Sequence, residues 1–203
     1  MSDSDVIRSQ IKTVYPVILP VPERIRRLTP GERVRFLSQY ARSALIESAG
    51  RSRVPVPTME KDANGAPKPC NGYYWSLTHK PEYVGAIIAP SRIGIDLEKI
   101  KDIPASVMRR IANDTEWGLQ ETDRLELFFR FWTAKEAVLK AVGIGFRDLV
   151  KCRIASIPDS RHVTLEYRER QWWVEHIRFN GHIASIVRND FHVKWILPDA
   201  SPA

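Results

Sequence analysis

Cysteine is scarce in this chain. Cys70 and Cys152 are the only two among 203 residues, and they lie far apart without the spacing of a metal knuckle or redox pair. Neither a disulfide framework nor a cysteine-held zinc site is implied, and both thiols default to structural roles. No hydrophobic stretch approaches the roughly 20 residues of a membrane span, and the polar opening Met1-Ser2-Asp3-Ser4-Asp5 lacks the apolar core of a signal peptide. A cytoplasmic protein is expected. No run of five or more basic residues occurs and the arginines are spread throughout, which speaks against nucleic acid as the partner. No internal repeat is detectable, so a repeat array is excluded.

What is present suits a folded domain with an anionic partner. Hydrophobic residues make up 43% of the chain, enough for a sizeable core in one large domain or two small ones. The formal charge of +7 and a pI near 9.6 suit nucleic acid, a membrane surface, a phosphorylated cofactor or an acidic protein, and charge alone does not choose among them.

Chemistry concentrates in two segments. In Arg92-Ile93-Gly94-Ile95-Asp96-Leu97-Glu98-Lys99-Ile100, apolar Ile93, Ile95 and Leu97 alternate with Gly94, Asp96 and Glu98, the period of a strand. Asp96 and Glu98 therefore share a face about 7 Å apart, close enough to reach one hard cation. The plain alternative is a half-buried strand whose polar face is wet. The second segment reads as a helix from Thr122-Asp123 to Ala141, with Gly143 and Gly145 available to end it. Leu127, Phe131, Ala134, Val138 and Ala141 form its core stripe. Phe129, Trp132, Glu136 and Lys140 cluster opposite, and two large aromatics there imply that this face is covered too. Glu136 and Lys140 could be a surface ion pair or part of a ligand site.

Elsewhere, Pro16, Pro20 and Pro22 mark an extended segment, and a helix follows with Thr29 as N-cap, Pro30 at its first position, Glu32 closing a capping box and Gly50 as the stop. Its buried stripe is Val34, Leu37, Ala41, Ala44 and Leu45. Residues 51–74 read as loop with one or two short strands, followed by strands at Tyr73–Leu77 and Tyr83–Ala89 around Thr78-His79-Lys80-Pro81. Pro104–Ile111 and Asp114–Leu119 look like short helices, the second capped by Asp114. After the long helix an antiparallel meander is expected: Leu149–Ser156, Val163–Arg168, Trp172–Phe179, Ile183–Val187 and a last strand His192–Ile196, with Asn180-Gly181 as a hairpin turn. Periodicity alone gives an α+β fold.

Ile93-Gly94-Ile95-Asp96-Leu97-Glu98-Lys99 and Phe131-Trp132-Thr133-Ala134-Lys135-Glu136-Ala137-Val138-Leu139-Lys140 resemble the two signature motifs of the 4′-phosphopantetheinyl transferases. Trp75-Ser76-Leu77-Thr78-His79-Lys80 resembles the serine-histidine motif of the longer, surfactin-synthetase type, with Thr78 where serine is frequent. Order and spacing match from about Glu32 to Ile157. The glycine-lysine-proline motif of the preceding loop is altered: the chain reads Gly65-Ala66-Pro67-Lys68-Pro69, with Pro67 at the glycine's place.

The resemblance implies two pseudo-symmetric halves, 1–91 and 92–203, each a long helix on a small, mainly antiparallel sheet. It implies an enzyme that moves 4′-phosphopantetheine from coenzyme A to a serine of an apo acyl or peptidyl carrier protein and releases adenosine 3′,5′-bisphosphate. Asp96, Glu98 and Glu136 would hold Mg2+, Glu136 also standing where the family's candidate base sits. Lys140, and Lys135 unless it is a plain solvent-facing or core-edge lysine, would compensate phosphate charge. His79, Thr78, Lys68 and Arg53 would contact coenzyme A, with Arg51 and Lys61 as further candidates. A pseudo-dimeric monomer without nucleic-acid or membrane partners is expected. Two rivals are a non-catalytic relative that binds coenzyme A or a carrier, and an RNA-binding sheet carrying Trp172, Trp173 and Phe179.

Overall fold

In a computed structural model that describes residues 13–120 and 122–199, backbone contacts separate two units. One holds the described residues up to Ile93 together with those from Asp190 onward; the other is Gly94–Asn189. The chain's last segment thus leaves the half to which the sequence assigned it. The reason is local pairing. Strand β1 (Thr13–Val14) runs parallel to β10 (His192–Val193), Ile18 N–H donates to the Ile196 carbonyl (2.8 Å) and Ile196 N–H to that of Pro16 (2.8 Å). The expected strand 192–196 is therefore a strap on the N-terminal segment and not part of the meander.

In the first unit, helix α1 (Pro30–Ser52) lies on a three-stranded antiparallel sheet ordered β2 (Val17–Pro20), β4 (Tyr83–Ala89), β3 (Tyr74–His79). Its start is the expected capping box: the Thr29 hydroxyl accepts from Glu32 N–H, and the Glu32 carboxylate accepts from Thr29 N–H (3.0 Å). These bonds to Thr29 hold the Glu32 carboxyl below its ordinary range. Gly50 does not stop the helix. Arg53 does, in the left-handed region at φ 55°, while Val54 N–H closes onto the Ala49 carbonyl (3.0 Å) and its side chain is buried; that apolar anchor sets the turn later than glycine would. Leu37, Ala41, Ala44, Leu45 and Ala49 pack with Val17, Trp75, Val84, Ala86 and Ile88. Val34, placed in the stripe by spacing, is 57% exposed, because the buried contacts of α1 begin only at Leu37.

The second unit is built on a five-stranded antiparallel sheet ordered β5 (Ile95–Lys99), β9 (His182–Val187), β8 (Arg170–Phe179), β7 (His162–Tyr167), β6 (Arg153–Ser156). Asn180-Gly181 makes the β8–β9 hairpin with φ values of 43° and 71°, as its type I′ chemistry predicts. The β7–β8 turn uses Arg168 and Glu169 at φ 52° and 56°, where no glycine announces it. Strand β6 starts later than expected because residues 145–148 form a 3-10 turn and Cys152 N–H still donates to Asp148. Short helices α2 (Ala105–Met108) and α3 (Asp114–Trp117) precede the long helix α4 (Arg124–Val142). The α3 cap is Asn113, one residue before the expected Asp114, because its side chain and that of Glu116 exchange bonds with each other's backbone N–H (both 2.9 Å).

Helix α4 starts where Asp123 accepts from Leu125 N–H (3.0 Å) and ends at Gly143, φ 80°. It is buried on nearly all sides, as expected of a helix with aromatics on both faces. Behind it, His176 Nδ1 and the Ser185 hydroxyl share a hydrogen bond (2.7 Å), and Thr133 Oγ1 donates to the Phe129 carbonyl (2.8 Å) beside Ser185. Burial pushes the His176 imidazole well below its usual pKa, with Arg130 and His162 adding repulsion that Asp159 opposes. Folding thus holds His176 neutral where the unfolded chain protonates it. Stability should be full above pH 6.5 and fall by about 1.4 kcal/mol per unit below it. Urea titrations at pH 7.5 and 5 should show that loss, and His176→Gln should remove much of it; an unchanged pH slope in the variant would refute the assignment.

Candidate active site

The Gly94, Asp96, Glu98 face of β5 is not wet: α4 lies on it. A Cβ on Gly94 would stand 1.9 Å from the Ala137 carbonyl oxygen and 2.8 Å from Ala141 N, so helix backbone and strand touch where only glycine fits. Gly94→Ala should displace α4 and cost about 1–3 kcal/mol. Urea denaturation of the variant checks this, and an unchanged stability would contradict the contact. Sequence reading passed over Gly94 as one more residue of the strand, although its place two before Asp96 on the helix-facing side is a readable signal.

From that contact the two elements diverge, with side chains meeting in between. Lys140 Nζ donates to Asp96 Oδ1 (2.7 Å) and to the Ile95 carbonyl (3.0 Å). Trp132 Nε1 donates to Glu98 Oε1 (3.1 Å). Glu136 lies between Trp132 and Lys140 on the same helical stripe and is 3% exposed, and Asp96 is 5% exposed. The structure therefore places Asp96, Glu98, Glu136 and Lys140 along one helix–strand seam. Lys140 meets a carboxylate across that seam rather than serving a surface helix pair. Trp132, singled out before only as an aromatic, orients Glu98.

Lys135 lies elsewhere on α4 and is neither solvent-facing nor at the core edge. Fully buried, its ammonium donates to Glu116 Oε1 (2.8 Å) and to the Ile111 carbonyl. Glu116 Oε1 also accepts from Ile154 N–H (2.8 Å). One carboxylate thus ties α3, α4 and β6 together, whereas the sequence showed Glu116 only as an acid in the first turn of a short helix. Burial pushes the nearby Cys152 thiol up to about 12, with Lys135 pulling against Glu116 and Glu136, so this cysteine is an inert packing group. A depression of about 440 Å³ beside the pair is lined by Arg109, Arg110 and Arg153 among others, a basic surface within this unit.

The remaining candidates belong to the first unit. Thr78 is buried and His79 half-buried at the end of β3, just before the Lys80–Tyr83 turn. The 60–68 loop is pinned by the Asp62 carboxylate, which accepts from Asn64 and Ala66 N–H (2.8 and 2.9 Å), and by Lys68 N–H on the Glu60 carbonyl (2.9 Å). Exposed Lys68 Nζ stands 3.7 Å from Glu60, Arg51 pairs with Glu47, and Arg53 is the exposed end of α1. The proposed aromatic platform does not form one face. Trp172 is buried under the Arg170 guanidinium and Trp173, its neighbour on the strand, points the other way and is 42% exposed, while Phe179 stacks on His182.

No three His, Cys, Asp or Glu side chains among the described residues converge to hold a metal by themselves. The donor set nevertheless suits magnesium, which takes one or two carboxylates and completes its shell with water and phosphate oxygens. The cation that Asp96 meets in the structure is the Lys140 ammonium (2.7 Å). No helix among the described residues is long and apolar enough to cross a membrane.

Known proteins resemble the chain over the same seam. A family model described as the 4′-phosphopantetheinyl transferase superfamily matches residues 92–190. The chain is 25% identical over 183 residues to the 4′-phosphopantetheinyl transferase psf-1 of Bacillus pumilus, covering 83% of this chain and 76% of that protein. It is 29% identical over 144 residues to the 4′-phosphopantetheinyl transferase HetI of Nostoc sp., covering 68% and 60%. To the human L-aminoadipate-semialdehyde dehydrogenase-phosphopantetheinyl transferase it is 26% identical over 154 residues, covering 60% and 50%. Through residues 92–190, which contain every residue of the seam, this chain is similar to the 4′-phosphopantetheinyl transferase superfamily.

Proposed function

We propose that this chain transfers 4′-phosphopantetheine from coenzyme A to a serine hydroxyl of an apo acyl or peptidyl carrier protein, with magnesium required. The observation that carries this reading is the pair of buried carboxylates Asp96 and Glu136, with the half-buried Lys140 on Asp96, on facing elements within the segment that resembles the transferases. The serine oxygen attacks the phosphorus next to the pantetheine, the bond to the adenosine-side phosphate breaks, and adenosine 3′,5′-bisphosphate leaves. Glu136 takes the serine proton directly or through water. Asp96 and Glu136 would bind magnesium, with Glu98 contributing directly or through water; when bound, the ion supplies charge neutralisation at the diphosphate. Lys140 compensates charge on the leaving side. Lys135, sealed against Glu116, holds α4 in its rotation and is the weaker candidate for phosphate.

In the first unit, His79, Thr78, Lys68 and Arg53 are proposed as coenzyme A contacts, and the formal charge of +7 suits both coenzyme A and acidic carriers by steering their approach. The reading includes a monomer working in the cytoplasm. The test is the intact mass of apo carrier proteins after incubation with the protein, coenzyme A and magnesium. Addition of one phosphopantetheine, lost in Asp96→Ala while coenzyme A still binds, supports the reading. Coenzyme A binding without transfer to any of several carriers would leave a non-catalytic binding protein.

A further inference from the structure

Resting on the metal-site reading above, we propose that Lys140 is an exchangeable counter-ion: its ammonium pairs with Asp96 and must yield that carboxylate when a divalent cation binds. A carboxylate as buried as Asp96 needs a positive partner, and the fold supplies one from within. Lys140 Nζ sits 2.7 Å from Asp96 Oδ1 and also holds the Ile95 carbonyl, so it covers oxygens of the kind a hard cation seeks. Two positive charges cannot share that place without strong repulsion.

The two lysines of α4 differ in the property that exchange demands. Lys135 is sealed in its pair with Glu116, whereas the Lys140 side chain is 28% exposed and has an open way to water. Its flexible stem allows the ammonium to swing away from Asp96 without moving the helix. A displaced ammonium would need a new anion, and the diphosphate of coenzyme A would provide it. Cation and coenzyme A binding are then coupled: each is tighter when the other is present, and Lys140 carries the coupling.

The test is Mn2+ binding to the full chain, read from the electron paramagnetic resonance signal of the free ion, with and without coenzyme A. Removing the competitor in Lys140→Met should tighten Mn2+ binding to the coenzyme-free protein by roughly fivefold or more and shrink the further gain on adding coenzyme A. Lys140→Arg, which keeps the charge, should stay near the parent protein. Lys140→Gln serves as a second neutral variant should the methionine variant fail to fold by circular dichroism. Unchanged or weaker Mn2+ binding in the folded neutral variants would overturn the exchange. Asp96→Asn should abolish binding in every background; if it does not, the metal-site reading itself fails, whatever Lys140 does.

Discussion

Replacing Glu136 with glutamine is expected to lower transfer to carrier protein by about 10²- to 10⁴-fold, the usual range for loss of a general base. The substitution keeps the shape of a residue that is almost wholly buried and removes only its charge and proton affinity. Folding should therefore survive, and far-ultraviolet circular dichroism of the variant should match the parent. Coenzyme A affinity should change far less than turnover, because the contacts proposed for the first unit are untouched. A variant that retains more than a tenth of parental turnover would remove Glu136 from the chemistry and leave a water held by Asp96 or Glu98 as the base. Turnover measured at several magnesium concentrations separates Glu136's two proposed duties. A defect relieved by added magnesium marks a ligand, and a defect that persists at saturation marks a base.

The second large effect concerns stability. Glu116→Ala should destabilise the protein by about 3–5 kcal/mol, because it leaves the Lys135 ammonium buried without its carboxylate. Ile154 N–H loses its acceptor in the same step. The double variant Glu116→Leu with Lys135→Met removes both charges and should recover much of the loss, though the orphaned Ile154 N–H keeps a deficit of about 1–3 kcal/mol. Urea denaturation of the single and double variants measures both quantities. A loss under 1 kcal/mol in the single variant would mean that water or an anion takes up the vacated place and that the pair does not anchor α4.

Both effects hinge on residues that sequence treated unequally. Asp96, Glu98, Glu136 and Lys140 were legible because alternation and helical spacing name the face each occupies, and an aromatic pair beside Glu136 signals a covered surface. Glu116 was legible only as a first-turn acid, since its partner Lys135 lies on another helix and no periodicity links them. Trp132 was visible as a ring but not as the donor that orients Glu98.

By itself the sequence determined the element types, the capping boxes at Thr29 and the α4 start at Asp123, the Asn180-Gly181 hairpin and the resemblance that names the chemistry. These depend on residues within a few positions of one another, where backbone geometry and side-chain hydrogen bonds act directly. Only the tertiary structure decided that the polar face of β5 lies beneath α4, that Lys140 sits on Asp96, that Lys135 is sealed by Glu116 and that the C-terminal strand pairs with β1. Each of these joins segments far apart in the chain. Such contacts are settled by close packing and by the need of buried charges and backbone groups for partners, conditions met only after the chain has folded.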